Sequence, residues 1–315
     1  MGVQKIRADL VGSGTINALE GLLSRGVPTM GLGAGLFKGN AYHVDSGHAN
    51  TSDSNAGTDP SRPLATLDAA IGKCTANNGD VILVAEGHSE TVATAAAIDF
   101  DVAGVTCIGL GKGAARPTFT LSAVGSTVEL AAASVHLENC LFTTSAAVTI
   151  MLDVNATDCM VLNNEFRMLT GVTAIDVDGG AANACDRTKI IGNIFDGSTD
   201  GPDEAIHLNE VADSVVISGN IAYGLFDDAC IHNPTGSILT WLFITDNVLV
   251  NTTAASHSIE LVSACTGLIA NNRCGSPLAD ATPGDIDGGA CHILQNYSHD
   301  AGGNDSGLLN PSADA

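Results

Sequence analysis

Six ionisable residues in this chain each follow directly on an apolar β-former: Leu152-Asp153, Ile175-Asp176, Ile206-His207, Ile231-His232, Ile259-Glu260 and Ile286-Asp287. In a strand successive side chains point to opposite faces, so if Ile, Leu and Val turn inward, the residue after each faces out. Strands stacked at about 4.8 Å would line Asp153, Asp176, His207, His232, Glu260 and Asp287 into one ladder of carboxylates and imidazoles. Two carboxylates about 5–9 Å apart are what glycoside hydrolysis requires. Imidazole beside carboxylate is also a metal-ligand set. The solvated face of any stacked sheet carries polar residues too, so the column alone fixes no chemistry.

Other stretches carry weaker chemical signals. Asp53-x-Asn55-x-Gly57-x-Asp59 places oxygen ligands at alternate positions, as a calcium loop does. Gly57 offers no ligand, however, and Leu64 stands where a closing Glu is needed, so a structural turn is predicted. Gly109-Leu-Gly111-Lys112-Gly113 has neither Walker spacing nor a following helix, and reads as a glycine-rich corner. No Ser-His-Asp or Cys-His nucleophile arrangement is legible. The sequence therefore predicts no cofactor and no assigned metal site.

What would hold such a column is a repeat. Asn139, Asn164, Asn193, Asn220, Asn247, Asn272 and Asn296 each follow a short apolar run, at intervals of 25, 29, 27, 27, 25 and 24 residues. A period in that range marks a solenoid. The units are short, β-branched and separated by Gly, Asn, Asp, Ser and Thr, so they read as strands. Asn at one corner tolerates the left-handed backbone a tight bend needs, and stacked amides can bond along the ladder. The predicted fold is all-β: a single-stranded right-handed parallel β-helix of about nine turns, with an N-terminal arm and a capping helix. Residues 1–40 form the arm, 41–78 a first strand, loop and capping helix, 79–298 the coil, and 299–315 a tail. Within the arm one short helix is expected near Ile16–Leu23. Leu64, Leu67 and Ile71 stand at the helical spacing expected of the cap.

Composition narrows the partners. The chain has 315 residues, 12 Lys plus Arg against 35 Asp plus Glu, and a net charge of −23. Such a surface repels nucleic acid and anionic membranes, and it disfavours a polyanionic sugar. Nine cysteines, an odd number without a C-x-x-C pair, point to buried thiols made in a reducing compartment. Cys159, Cys265 and Cys291 just precede their strands and should face inward. Neither a secretory signal nor an apolar run of membrane-spanning length is legible.

The stretch Asp53-x-Asn55-x-Gly57-Thr58-x-Pro60-x-x-Pro63, followed by Ala65-Thr66-Leu67-x-x-Ala70-Ile71 and Gly79-Asp80-x-Ile82-x-Val84, resembles the start of pectate-lyase-like parallel β-helix proteins. The pattern is common among bacteriophage virion proteins and related bacterial surface proteins. It covers Asp53 to Glu90, and the Asn repeats extend the likeness to about Ser298. Residues 1–40 are similar to the arm ahead of the coil in some phage proteins. Such motifs speak to the fold more than to activity. The resemblance implies a non-enzymatic structural protein of a phage particle: a homotrimeric capsid decoration or cement protein. It would be assembled in the host cytoplasm and attached to a major capsid or other virion protein through residues 1–40.

The alternative is a tailspike-like carbohydrate-active enzyme, a glycosidase working at Asp176, His207, Asp228 and Glu260, or a β-helix that binds sugar without cleaving it. Asp227-Asp228 resembles the paired Asp of polygalacturonase-type hydrolases, where one carboxylate protonates the leaving oxygen and another activates water. The family's Gly-His-Gly and Arg-x-Lys are missing. A lyase would need a Lys or Arg base, and Arg167, Arg187, Lys189 and Arg273 do not fall beside the acidic column by register. Sugar stacking would have to rely on Trp241 and three Tyr.

Overall fold

The structure is a computed structural model; it describes residues 23–24, 27–28, 39–180, 184–197, 201–234, 236–253, 256–276, 286–300 and 307–309. Of the expected arm only residues 23–24, 27–28 and 39–40 are described, Leu23–Ser24 and Val27–Pro28 as an antiparallel pair. The helix expected near Ile16–Leu23 falls almost wholly outside the described residues.

From Ala41 onward the chain coils through three sheets of short strands. Sheet 1 has ten strands, from Ala41–Val44 to His292–Leu294; sheet 2 has ten, from Ser89–Val92 to Gly307–Leu309; sheet 3 has eight, from Ile98–Asp99 to Ile286–Asp287. Neighbours in each sheet come from successive turns and run parallel, except that Gly307–Leu309 closes antiparallel on Asn296–Asp300. The predicted parallel β-helix is the observed fold. Its turns number slightly fewer than nine, because Ala41–Val44 and the strands after Ile286–Asp287 have no counterpart in sheet 3.

Residue type explains the stacking. Ile82, Cys107, Leu137, Val161, Ile190, Ile217, Ile244 and Ile269 pair in register up sheet 1, all buried. On sheet 2, Phe119, Phe142, Phe166 and Phe195 stack with centroids 5.6, 5.1 and 5.3 Å apart. All nine cysteines carry thiols outside any disulfide, and eight are buried, among them Cys159, Cys265 and Cys291 as expected.

The Asn corner joins sheets 1 and 2 and is tight. The backbone N–H of Asn164 donates to Oδ1 of Asn193 at 2.9 Å, and the same bond runs from Asn193 to Asn220, Asn220 to Asn247, Asn247 to Asn272 and Asn272 to Asn296. The side-chain amides of Asn164, Asn193, Asn220, Asn247 and Asn272 also donate to the next Asn and to a carbonyl of the preceding turn, as Asn220 Nδ2 does to Ile190 O at 2.9 Å and to Asn247 Oδ1.

Two expectations about this corner need correcting. Asn139 is not in the ladder: Glu138 pairs with Leu162, so Cys140 occupies the rung, and its N–H donates to Asn164. Nor do the ladder residues take the left-handed conformation. That falls to the residue before each of them, at Asn139, Asn163, Gly192, Gly219, Asp246, Asn271 and Gln295.

The first turn is covered by helix α1, Leu67–Ile71, which buries Leu67, Ala70 and Ile71. It starts later than the Leu64 spacing implied. Leu64 instead bridges to Val44, and Asp53 Oδ1 accepts the N–H groups of Ala65 and Thr66 at 2.8 and 3.0 Å. Thr66 then caps Ala69. The Asp53–Asp59 loop thus closes on the helix as a structural turn.

Candidate functional site

Sheet 3 carries the expected column in register. Asp153 pairs with Asp176, Asp176 with His207, His207 with His232, His232 with Glu260, and Glu260 with Asp287. Glu129 and Asp99 extend it toward the first turn. Loops ahead of the sheet 3 strands build a wall along one side. Gly171 N–H bonds Gly201 O, Asp203 N–H bonds Val172 O, and Asp227 N–H bonds Pro202 O, so backbone bonds stack these three loops on one another.

Of the four residues singled out for catalysis, three meet in one network. His207 Nδ1 lies 3.0 Å from Asp176 Oδ1. The His207 ring stacks on His232 with centroids 5.6 Å apart, and His232 Nδ1 lies 3.9 Å from Asp228 Oδ2. Glu260 sits one rung further on and contacts His257 at 3.4 Å. A polar cavity of about 340 Å³ opens beside it, lined by His232, Asn233, Glu260, Ser263 and Asp287 among others.

The network also contains Glu204 and Thr173, which sequence reasoning missed. Glu204 Oε1 is 3.1 Å from His232 Nδ1, and its other oxygen accepts from the Thr173 hydroxyl. Glu204 lies ahead of the apolar-ionisable pair of its own strand, outside the alternation that revealed the column. A usable signal existed: Asp203-Glu204 and Asp227-Asp228 are acidic pairs placed just before sheet 3 strands on consecutive turns.

Environment sets these carboxyls apart. Burial raises the Asp228 pKa, and the neighbouring Glu204 charge adds to it. Burial alone would raise Glu204 as well, but hydrogen bonds from His232 and Thr173 and the imidazoles beside it bring it below its usual value. For His207, burial works against protonation, yet the Asp176 hydrogen bond and charge outweigh it and the pKa is raised. The two carboxyls are shifted in opposite directions, Asp228 toward holding its proton and Glu204 toward losing it, which is the kind of asymmetry acid–base catalysis uses.

Asp153 is a separate case. Burial, with the charges of Asp176, Glu129 and Asp178 behind it, pushes its carboxyl up to about 7, although Asn155 opposes the shift with a hydrogen bond. The folded state then binds more protons than the unfolded chain between the ordinary aspartate value and pH 7, so this group lowers stability as pH rises through that window. Replacing Asp153 with Asn keeps an acceptor for Asn155 and removes the charge. The Asp153→Asn protein should be more stable than wild type by about 1–2 kcal/mol at pH 8, allowing for solvent screening, and show no gain at pH 4. Urea denaturation at the two pH values checks this.

The basic residues of the repeats lie elsewhere, as their register implied. Arg167 and Arg273 are on sheet 2, and Lys189 is on sheet 1. Arg187 is paired with Asp158 at 2.7 Å. Among the described residues no strand of sheet 3 contains Lys or Arg. Trp241 is exposed on the sheet 1 side, beside a groove with Phe243 and Leu268.

No protein-family model matches the chain, and no curated protein matches it in sequence. Among solved structures it is similar to a rhamnogalacturonan lyase at 13% identity, over 86% of this chain and 90% of that one, with a TM-score of 0.37. It is also similar to a GH136 lacto-N-biosidase from Eubacterium ramulus at 12% identity, over 82% of this chain and 68% of that one, with a TM-score of 0.28.

Proposed function

We propose that the chain is a carbohydrate-active enzyme that hydrolyses a glycosidic bond over sheet 3. One observation carries this reading. Asp228 and Glu260, from consecutive turns, reach solvent with side chains 57% and 42% exposed, and they flank His232 where the polar cavity opens. In this reading Asp228 donates its proton to the glycosidic oxygen as the bond to the anomeric carbon breaks. Glu260 takes a proton from the water that attacks that carbon, so the water's OH ends on the new reducing end. Asp176 and His207 position the network from beneath. The absence of Lys and Arg from the sheet 3 strands favours hydrolysis over elimination, and the net charge of −23 favours a neutral glycan over a polyuronate.

The virion reading is not favoured by these observations. It rested on residues 1–40, which are mostly outside the described residues, and on the Asp53–Val84 motif. In the structure that motif closes a loop and starts a helix, which are tasks of the fold.

The test is incubation with a panel of neutral polysaccharides and assay for new reducing ends. Asp228→Asn and Glu260→Gln should each lower the rate about 100-fold or more. Glu260→Gln cleaving at the wild-type rate, or no cleavage of any glycan, would remove the proposal.

A further inference from the structure

Three side chains from two adjacent turns converge on sheet 3, one of them, His232, also lining the polar cavity. Glu204, His207 and His232 each bring one ligand atom to within 4.8 Å of the other two. Two imidazole nitrogens and one carboxylate oxygen form a donor set suited to zinc-like ions. Calcium and magnesium take oxygen ligands instead.

The surroundings are those of a built site. A metal-bound histidine ordinarily gives its other ring nitrogen to a carboxylate, and His207 Nδ1 is already held by Asp176 Oδ1 at 3.0 Å. The Thr173 hydroxyl fixes one oxygen of Glu204, which leaves Oε1 to face His232 Nδ1 at 3.1 Å. Two donors on a tetrahedral zinc ion, each about 2.0–2.1 Å from it, stand about 3.3 Å apart. That pair is therefore spaced for a shared ion. Glu204 is buried from below, with its side chain 7% exposed, while both imidazoles reach solvent. The open side leaves a fourth position to water or a substrate oxygen.

We propose that Glu204, His207 and His232 bind one divalent transition-metal ion of the zinc class. Thr173 and Asp176 act as positioning residues that hold two of the ligands. The proposal stands apart from glycan cleavage and is read without it.

The full-length protein, stripped with chelator and dialysed, is titrated with Zn²⁺ by calorimetry in excess Mg²⁺, which occupies the diffuse acidic surface. One ion per chain is expected. His207→Ala and His232→Ala should each weaken binding on the order of 100-fold, Thr173→Val about tenfold, and Asp287→Asn should bind as wild type does. Co²⁺ bound to the wild-type protein should show visible absorption of a low-coordinate nitrogen–oxygen site. This reading needs no variant to fold. Absence of saturable Zn²⁺ binding, undiminished binding in the two histidine variants, or a Co²⁺ spectrum like that of the aqueous ion would each overturn the proposal.

Discussion

Replacing Asn220 with alanine should cost about 4 kcal/mol, a large part of the stability of an ordinary domain. Asn220 Oδ1 accepts both the backbone N–H and the side-chain amide of Asn193, and its own amide donates to Ile190 O and Asn247 Oδ1. All of these groups are buried. Alanine leaves the buried Asn193 N–H without a partner, at about 1–3 kcal/mol, and takes one donor from the Ile190 carbonyl, which keeps its ladder bond within sheet 1. It also opens a space the size of the lost amide.

Aspartate at the same position is the sharper probe. It keeps the acceptor but sets a carboxylate against the Ile190 carbonyl and Asn247 Oδ1, where amide hydrogens had been. The buried carboxyl would take up a proton to avoid ionising, so the folded state binds more protons than the unfolded one. Stability of Asn220→Asp should then fall as pH rises from about 4 to 8. Wild-type and Asn220→Ala proteins share the Asp153 contribution and should follow the same pH dependence as each other, so the extra loss in Asn220→Asp isolates the new carboxyl. Urea titrations at both ends decide it; equal losses at the two pH values would contradict the account.

Phe166→Ala should cost about 4 kcal/mol by a different route. Phe166 is fully buried and lies between Phe142 and Phe195, with rings 5.1 and 5.3 Å away and tilted by only 13° and 11°. Truncation removes transfer energy and leaves a cavity that neighbours held by parallel ladders cannot easily close. Phe166→Leu should lose only about 1–1.5 kcal/mol, since most of the volume remains. Adding Phe142→Ala to Phe166→Ala should cost less than the sum of the two, because the pair shares one contact. Equilibrium denaturation of Phe166→Ala, Phe166→Leu, Phe142→Ala and the double variant measures both effects.

The period and the outward column were legible in the sequence because both follow from strand geometry. Only a residue of one type at a fixed place in each turn can make a ladder, and only alternation can put Asp153 through Asp287 on one face. Which Asn forms the ladder was not legible. The left-handed position before it admits Asn, Gly, Asp or Gln, so the doublets Asn163-Asn164 and Asn271-Asn272 hold both roles in identical letters. Asn139 fills the left-handed role where Cys140 has taken the rung, and the count of seven therefore included one residue of the wrong kind. The bend also hid a boundary, since each apolar–Asn–apolar phrase is two strands on two sheets. Glu204 escaped for the opposite reason. Its place is set by a loop stacked on the loop below, and loops carry no period to read.

From Leu137 to Phe142, Val161 to Phe166, Ile190 to Phe195, Ile217 to Ala222, Ile244 to Leu249 and Ile269 to Cys274, the step across the Asn corner is always five residues. From Leu137 onward, every difference in the length of a turn is therefore taken up at the two edges of sheet 3; in the two turns before it the same corner is longer, twelve residues from Cys107 to Phe119. Insertions there leave the register of the scaffold untouched, while one extra residue at the opposite corner would turn a whole strand inside out. From Leu137 onward the architecture confines variation to the rims of sheet 3, so new contacts over that sheet can arise without renegotiating the spine.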